Sequence, residues 1–479
     1  MDYKTPGQHK NWEAFQGHWS SVAQDLGSDE QVHGASGALA ESYMLGERRI
    51  GNRWAIHPME GWDGTPQGLP SEDTLRRWRR FGESGAKLIW GGEAFAVLAE
   101  GRANPSQLFL NPRVDSGAGL EQLRTTLVKA HASHNESTED LFVGLQLTHS
   151  GRFCRPGSGG PAPRIAYRHP LLDARVGVTS DEALLTDTEL DDLSGHYVKA
   201  ARCAQEAGFD FVDVKCCHGY LLHELLGAKT RPGPYGGSFE NRTRFFRNTV
   251  TAIRAECPGL AIGVRVSIGD LIPFSPADDR RGVPESWDST RPYTYGFGVD
   301  EQDPRQVDLR ESYLFLQLLQ DLDITLVNLT LGSPYYNPHL QRPAAYPPSD
   351  GYRPPEDPLF QVAEHLRITR HCKATFPSLA FVGTGYTYLQ EWLPNVAQHE
   401  VAGGHVDFVG LGRMVLSYPE MPRDVLAGSK LQRKRVCRTF SDCTTGPRNG
   451  LRSGCYPLDD FYKQRSDART LAEIKERLS

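Results

Sequence analysis

Residues 208–246 read GFDFVDVKCCHGYLLHELLGAKTRPGPYGGSFENRTRFF, and the fold turns on how this stretch is parsed. From Phe209 to Val214 the chain is apolar and β-branched enough for a strand buried on both faces, the pattern of a parallel strand in an α/β protein. The run stops at Lys215, Cys216, Cys217, His218 and Tyr220. The carboxyl ends of such strands carry the chemistry of α/β folds, so Lys215, His218 and Tyr220 are candidate catalytic groups.

Outward from this strand the same pattern recurs. Short apolar runs stand at 53–58, 87–95, 142–149, 209–215, 260–267, 324–330, 379–385 and 406–413, most of them followed by an amphipathic stretch. Strand-then-helix units of this number predict a (β/α)8 TIM barrel. SEDTLRRWRRFGESG predicts a helix capped at Ser71 and closed at Gly85, and ELDDLSGHYVKAARCAQEAG predicts one closed at Gly208. A doubly wound sheet would need a glycine fingerprint after the first strand, and HPMEGWDGTPQG lacks the G-x-G-x-x-G spacing. Segments 150–183, 268–308 and 331–357 are long and rich in Pro, Gly and aromatic residues. Each follows a strand, which puts long loops at the C-terminal mouth of the barrel. The expected organisation is an N-terminal extension over 1–44, a barrel domain over 45–430, and a short cysteine-containing C-terminal tail over 431–479.

Composition narrows the partners. A net charge of −6 without a basic stripe argues against nucleic acid or an anionic membrane surface, and for a small-molecule substrate. No apolar run reaches the about 18 residues of a membrane span, and MDYKTPGQHKNWEAF lacks a signal-peptide core, so a cytoplasmic protein is expected. Nine cysteines, an odd number, point to reduced thiols. Assembly into a homo-oligomer is left open.

The seventh and eighth runs end in GTG (Gly383 to Gly385) and GLGR (Gly410 to Arg413), where barrels commonly bind phosphate. Glycines admit phosphate oxygens to backbone N–H groups and an arginine clamps them. The plainer alternative is tight turns and a surface ion pair. Gln146 and Arg265 lie within apolar strands, where an arginine needs an anion or an electron-rich ring to offset its burial. Core carboxylates and carbonyls are the alternative partners.

The blocks NRWAIHPM, QLTHSGR, GFDFVDVKCCHGYLLHELL, YGGSFENRTRF, GVRVS and GLGR, in this order over roughly residues 45–430, resemble the old yellow enzyme family of NADH:flavin oxidoreductases. The resemblance implies non-covalent FMN over the barrel mouth, with NADH or NADPH as reductant. Pro58, Met59 and Glu60 would border its central ring, Ala94 and Gln146 its pyrimidine edge, and Arg265 its N1 and O2 region. Gly383, Gly385, Gly412 and Arg413 would surround its phosphate. In the family a His, followed three residues later by His or Asn, grips the substrate carbonyl, and a Tyr two residues further on donates a proton. The matching positions are Lys215, His218 and Tyr220, and the lysine departs from the pattern. Glu60 departs too, where the family typically has Thr or Cys.

The implied activity is hydride transfer from NAD(P)H through the flavin to an activated alkene. An amine or C–H dehydrogenase of the trimethylamine dehydrogenase type is the alternative within the fold, and a Schiff-base lyase or aldolase using Lys215 is the alternative of another class. Larger relatives carry a four-iron four-sulfur cluster on four cysteines after the barrel. Here Cys437, Cys443 and Cys455 leave one ligand missing, which argues against a cluster and for structural thiols.

Overall fold

The structure is a computed structural model and describes residues 3–134 and 137–478. Its centre is a ring of parallel strands: β1 Trp54–Ile56, β2 Leu88–Ile89, β3 Ala94–Ala96, β4 Phe142–Thr148, β5 Phe211–Val214, β6 Ala261–Ser267, β7 Leu326–Thr330, β8 Ala380–Gly383 and β9 Phe408–Leu411. The ring closes where β9 pairs with β1, Val409 opposite Trp54 and Leu411 opposite Ile56. Eight positions thus form a (β/α)8 barrel, the second being shared by β2 and β3. Both pair with β4, Leu88 opposite Phe142 and then Ala94 opposite Gln146.

The reading of 87–95 as one strand is corrected by this break. Gly91 and Gly92 take φ of 125° and 52°, values that side chains oppose, and a Cβ on Gly91 would fall 2.8 Å from the Gln146 backbone nitrogen. The chain therefore steps around β4 and resumes, with Ala94 at the mouth.

Helices α1 Glu72–Gly82, α2 Ser116–His134, α3 Asp187–Glu206, α4 Arg244–Glu256, α5 Leu309–Asp321, α6 Pro358–Thr375 and α7 Leu393–Ala402 follow the strands around the ring. Ser71 caps α1 by accepting the Thr74 N–H, and Glu72 and Asp73 in its first turn complement the helix dipole. Thr186 caps α3, and Gly208 turns the chain into β5 at a φ of 84°.

Inside the ring the lower layers are filled by Leu88, Trp90, Phe142, Phe211, Leu326 and Phe408, with Tyr43 and Leu45 of a short hairpin beneath them. Phe142 stacks on Phe211 at 5.0 Å, and only a glycine at 144 leaves room for the Phe211 ring. Each such ring, fully buried, contributes about 1.5–3 kcal/mol. The polar residues are thereby confined to the upper mouth. Over that mouth lies the tail, which runs through two short turns of helix to α8 Ser466–Leu478. No described helix is long and apolar enough to cross a membrane.

Candidate active site

A cavity of about 260 Å³ opens at the carboxyl ends of the strands. Pro58, Met59 and Glu60 reach it from the end of β1, Ala94 from β3, Gln146 from β4 and Arg265 from β6. Lys215, His218 and Tyr220 border it just beyond β5, as do Gly385 beyond β8 and Gly412 and Arg413 beyond β9. Gly383 alone of the expected set stays off the cavity wall. A Cβ built there would meet Tyr386 and Val406, so this glycine serves strand packing.

The floor is organised by Asp213, which the sequence reading passed over. Its buried carboxylate accepts from Trp90 Nε1 at 2.7 Å, Gln146 Nε2 at 2.6 Å and the Arg265 backbone N–H at 2.8 Å. Burial raises its pKa, and these three donors oppose the rise. Gln146 thus spends an amide N–H on the protein, which leaves its carbonyl as the acceptor for a guest. Arg265 is only 3% exposed, and among the described residues its Nε has no hydrogen-bond partner. Such a donor is costly unless a guest completes it.

The reactive wall forms around Tyr220. Its hydroxyl donates to Glu60 Oε2 at 2.6 Å and lies 2.8 Å from the hydroxyl of Tyr335. Tyr335, from the loop after β7, is stacked on Phe153 at 4.0 Å and 8°. Asn104 holds the other Glu60 oxygen at 3.2 Å. Burial raises the Glu60 pKa, against the pull of Lys215, Tyr220, Asn104 and Arg448. Lys215 places its ammonium 3.7 Å from the centre of the Tyr220 ring, and no ion pair joins it to Glu60 among the described residues. Burial lowers its pKa, while Cys217 and Glu60 oppose this. His218, at a φ of 69°, meets Gln341 Nε2 at 3.2 Å. Burial and then the cations Arg265 and Lys215 push its pKa well down, so its imidazole is neutral.

The far end is cationic. Arg413 donates Nη2 to the Pro343 carbonyl at 2.7 Å, while its buried Nη1 has no partner among the described residues. A Cβ on Gly412 would meet nothing within 4 Å, and Gly385 holds a φ of 99°. Arg342 donates to Thr444 through Nη1, its Nη2 likewise has no partner, and Arg448 pairs with Asp350. Burial and the two neighbouring guanidiniums lower the Arg342 pKa to about 9.

Tail residues Cys443, Thr444, Pro447, Arg448, Ser453 and Gly454 complete the roof. Ser453 accepts the Trp62 backbone N–H at 2.8 Å, and Asp459 takes both Arg76 Nη atoms at 2.9 and 3.0 Å. Asp73 of α1 receives Arg452 and Arg465, each at 2.9 Å. Cys437, Cys443 and Cys455 border a smaller void behind Arg413, and all nine cysteines are free thiols. Arg152, in the turn just beyond β4, does not reach the site. It is fully buried between Asp173 and Glu224 and braces the loop after β4.

Residues 41–275 match the NADH:flavin oxidoreductase / NADH oxidase family. An NADH:flavin oxidoreductase of Gibberella zeae is 31% identical over 210 residues, 41% of this chain and 48% of that protein. An NADPH dehydrogenase of a Geobacillus species is 32% identical over 247 residues, 49% of this chain and 64% of its own length. The chain spans about half to two thirds of these relatives. Among solved structures, histamine dehydrogenase from Rhizobium sp. 4-9 aligns with a TM-score of 0.63 at 19% identity, over 89% of this chain and 53% of that one. The old yellow enzyme homologue from Zymomonas mobilis aligns with a TM-score of 0.54 at 20% identity, over 84% and 96%. At these identities the structural likeness speaks for the fold.

Proposed function

The chain belongs to the NADH:flavin oxidoreductase / NADH oxidase family, and from that premise we propose an FMN-dependent oxidoreductase that draws hydride from NADH or NADPH and passes it to an activated alkene such as an enone or enoate. One observation carries the reading: a single cavity joins buried, unpartnered arginine donors at Arg265 Nε and Arg413 Nη1 to a hydrogen-bonded phenol at Tyr220.

The residues present fit FMN. Gly412 leaves backbone open beside Arg413 for a phosphate, Ala94 and the Gln146 carbonyl suit an imide edge, and the unmet Arg265 donor suits an electron-rich ring. Bound FMN supplies two-electron hydride transfer. The chain does the rest. Neutral His218 and the Lys215 ammonium hold a substrate oxygen on which negative charge develops, which stabilises the transition state. Tyr220 delivers a proton to the carbon beside it. The tail residues roof the mouth and narrow the path of water to the reacting groups.

A second reading is oxidation of an amine or a C–H bond next to nitrogen. The Tyr220 hydroxyl already donates to Glu60, an arrangement that also suits proton abstraction. The Schiff-base lyase has no support in the family. Anaerobic titration separates the remaining two. Bleaching of bound flavin by NADH or NADPH and recolouring by 2-cyclohexenone or an enoate supports the alkene reading, while bleaching by an amine alone supports the second. Protein that purifies colourless and takes up no FMN sinks both.

A further inference from the structure

A phenol that gives up its only proton has to regain one before it can act again. Tyr220 is fully enclosed by the barrel mouth, at 3% exposure, so the source of that proton is a matter of which groups touch its oxygen. Two do: Glu60 Oε2 at 2.6 Å and the Tyr335 hydroxyl at 2.8 Å. The Glu60 carboxyl is held from behind. Asn104 bonds its second oxygen at 3.2 Å and is itself fixed by the Gly61 carbonyl at 3.3 Å and the Ser106 N–H at 3.0 Å. Tyr335 is clamped between Phe153 and the Arg448 guanidinium, 5.7 Å from its ring centre.

Resting on the reading of Tyr220 as the substrate's proton donor, we propose that Glu60 is the proton reservoir behind it, with Tyr335 fixing the shared hydroxyl in line between reservoir and substrate. Glu60 acts through Tyr220 and not on the substrate itself. The balance is simple. As hydride adds to one alkene carbon, the Tyr220 O–H bond breaks and a C–H bond forms at the other. When Glu60 is neutral its proton sits on Oε2, because Asn104 donates to Oε1, and the shared hydrogen bond then runs from Glu60 to the Tyr220 oxygen; that Glu60 O–H bond breaks and the Tyr220 O–H re-forms. Glu60 lines the cavity and recovers its proton from water at the mouth. No electrons beyond the hydride pair move. Run backward, the same chain takes a proton from substrate to Glu60.

The groups facing Glu60 decide its protonation. Lys215, Tyr220 and Arg448 pull its pKa down together with Asn104, and burial, the largest influence, raises it. Neutral Glu60 is the donor, so substrate reduction falls as pH rises through its pKa. Neither phenol supplies that limb, because burial raises both Tyr220 and Tyr335 far above their ordinary range; Lys215, whose pKa burial lowers, adds a falling limb of its own, so the comparison is made in a Lys215→Met background.

The test uses the flavin-loaded protein and follows the oxidative half-reaction against pH. Glu60→Gln should slow it about tenfold or more and remove the falling limb, Glu60→Asp should restore a limb, and Tyr335→Phe should keep it. A limb of the Lys215→Met protein that persists when Glu60→Gln is added overturns the relay. An infrared difference measurement needs no acceptor. A protonated-carboxyl C=O band that vanishes in Glu60→Gln and shifts in Tyr220→Phe supports the coupling, and a Glu60 band indifferent to Tyr220→Phe overturns it. Failure of alkenes to reoxidise the flavin, with that band still coupled, counts against the substrate reading and leaves the Glu60 to Tyr220 transfer standing for the reverse direction.

Discussion

Lys215 lies against Tyr220 and not against Glu60: its Nζ is 3.7 Å from the centre of the phenol ring, while Glu60 gives its nearer oxygen to the phenol hydroxyl. Acid, phenol and ammonium therefore form a ladder in which Tyr220 stands between Glu60 and Lys215. The ammonium rests on a ring face, a contact of about 0.5–2 kcal/mol, and keeps its N–H donors for a guest.

Lys215→Met should cost acceptors bearing a carboxylate most, and Lys215→His should improve neutral enones relative to acids. A fixed cation interacts with full negative charge more strongly than with a carbonyl dipole, and about one or two kcal/mol is the scale expected at a partly dehydrated mouth. kcat/KM for a matched acid and ester on the three proteins decides the point. An unchanged acid-to-ester ratio would reduce Lys215 to packing on Tyr220.

Tyr220→Phe removes one hydroxyl. Substrate reduction should fall by roughly 100-fold to 10,000-fold, the range of general acids, while bleaching of the flavin by nicotinamide continues. Stopped-flow of the two half-reactions separates them, and equal loss in both would mean disturbed packing.

Arg265→Ala and Arg413→Ala should each weaken FMN retention by about ten- to hundredfold, since each removes a charge-assisted donor from a desolvated wall. Flavin content after dialysis reports it directly. Full flavin in both variants would contradict the proposed orientation.

Arg152→Leu should destabilise the fold by about 3–5 kcal/mol in urea titration, because buried Glu224 loses its cation and Asp173 keeps only the Arg168 cation. Protein that stays folded should bind flavin normally, since Arg152 does not border the cavity.

Arg76→Ala should speed flavin release several-fold by loosening the roof. It removes the two-pronged contact with Asp459 and the stack on Phe461 at 4.1 Å, together about 1 kcal/mol or more. Released-flavin fluorescence follows it, and an unaltered release rate would show the roof to be held elsewhere.

The barrel was legible because strands buried on both faces leave unbroken apolar runs, and β4 through β9 fall within the runs that predict them. The break at Gly91 was not, since KLIWGGEAF carries no period that separates a strand from a step around its neighbour. Residues tied to a strand end, such as Tyr220, Arg265 and Arg413, could be found from position alone. Tyr335, Arg342 and Arg448 could not: they reach the cavity from a long loop and from the tail, and their place depends on contacts such as Phe153 with Tyr335 that join distant parts of the chain. Asp213 was hidden by company, a carboxylate inside FDFVDVK that reads as strand. Gln341, set against His218, gave no local signal at all.

The roof has a consequence in time. β9 completes the ring at Leu411, whereas Arg448 and Ser453 are made afterwards, and domains generally fold as they leave the ribosome. A nascent chain can therefore hold a closed barrel whose mouth is still bare. Loading and sealing become separate events, and a cell short of flavin would accumulate barrels whose roof has docked over nothing, held by protein contacts alone, those at Asp73 and Asp459 among them.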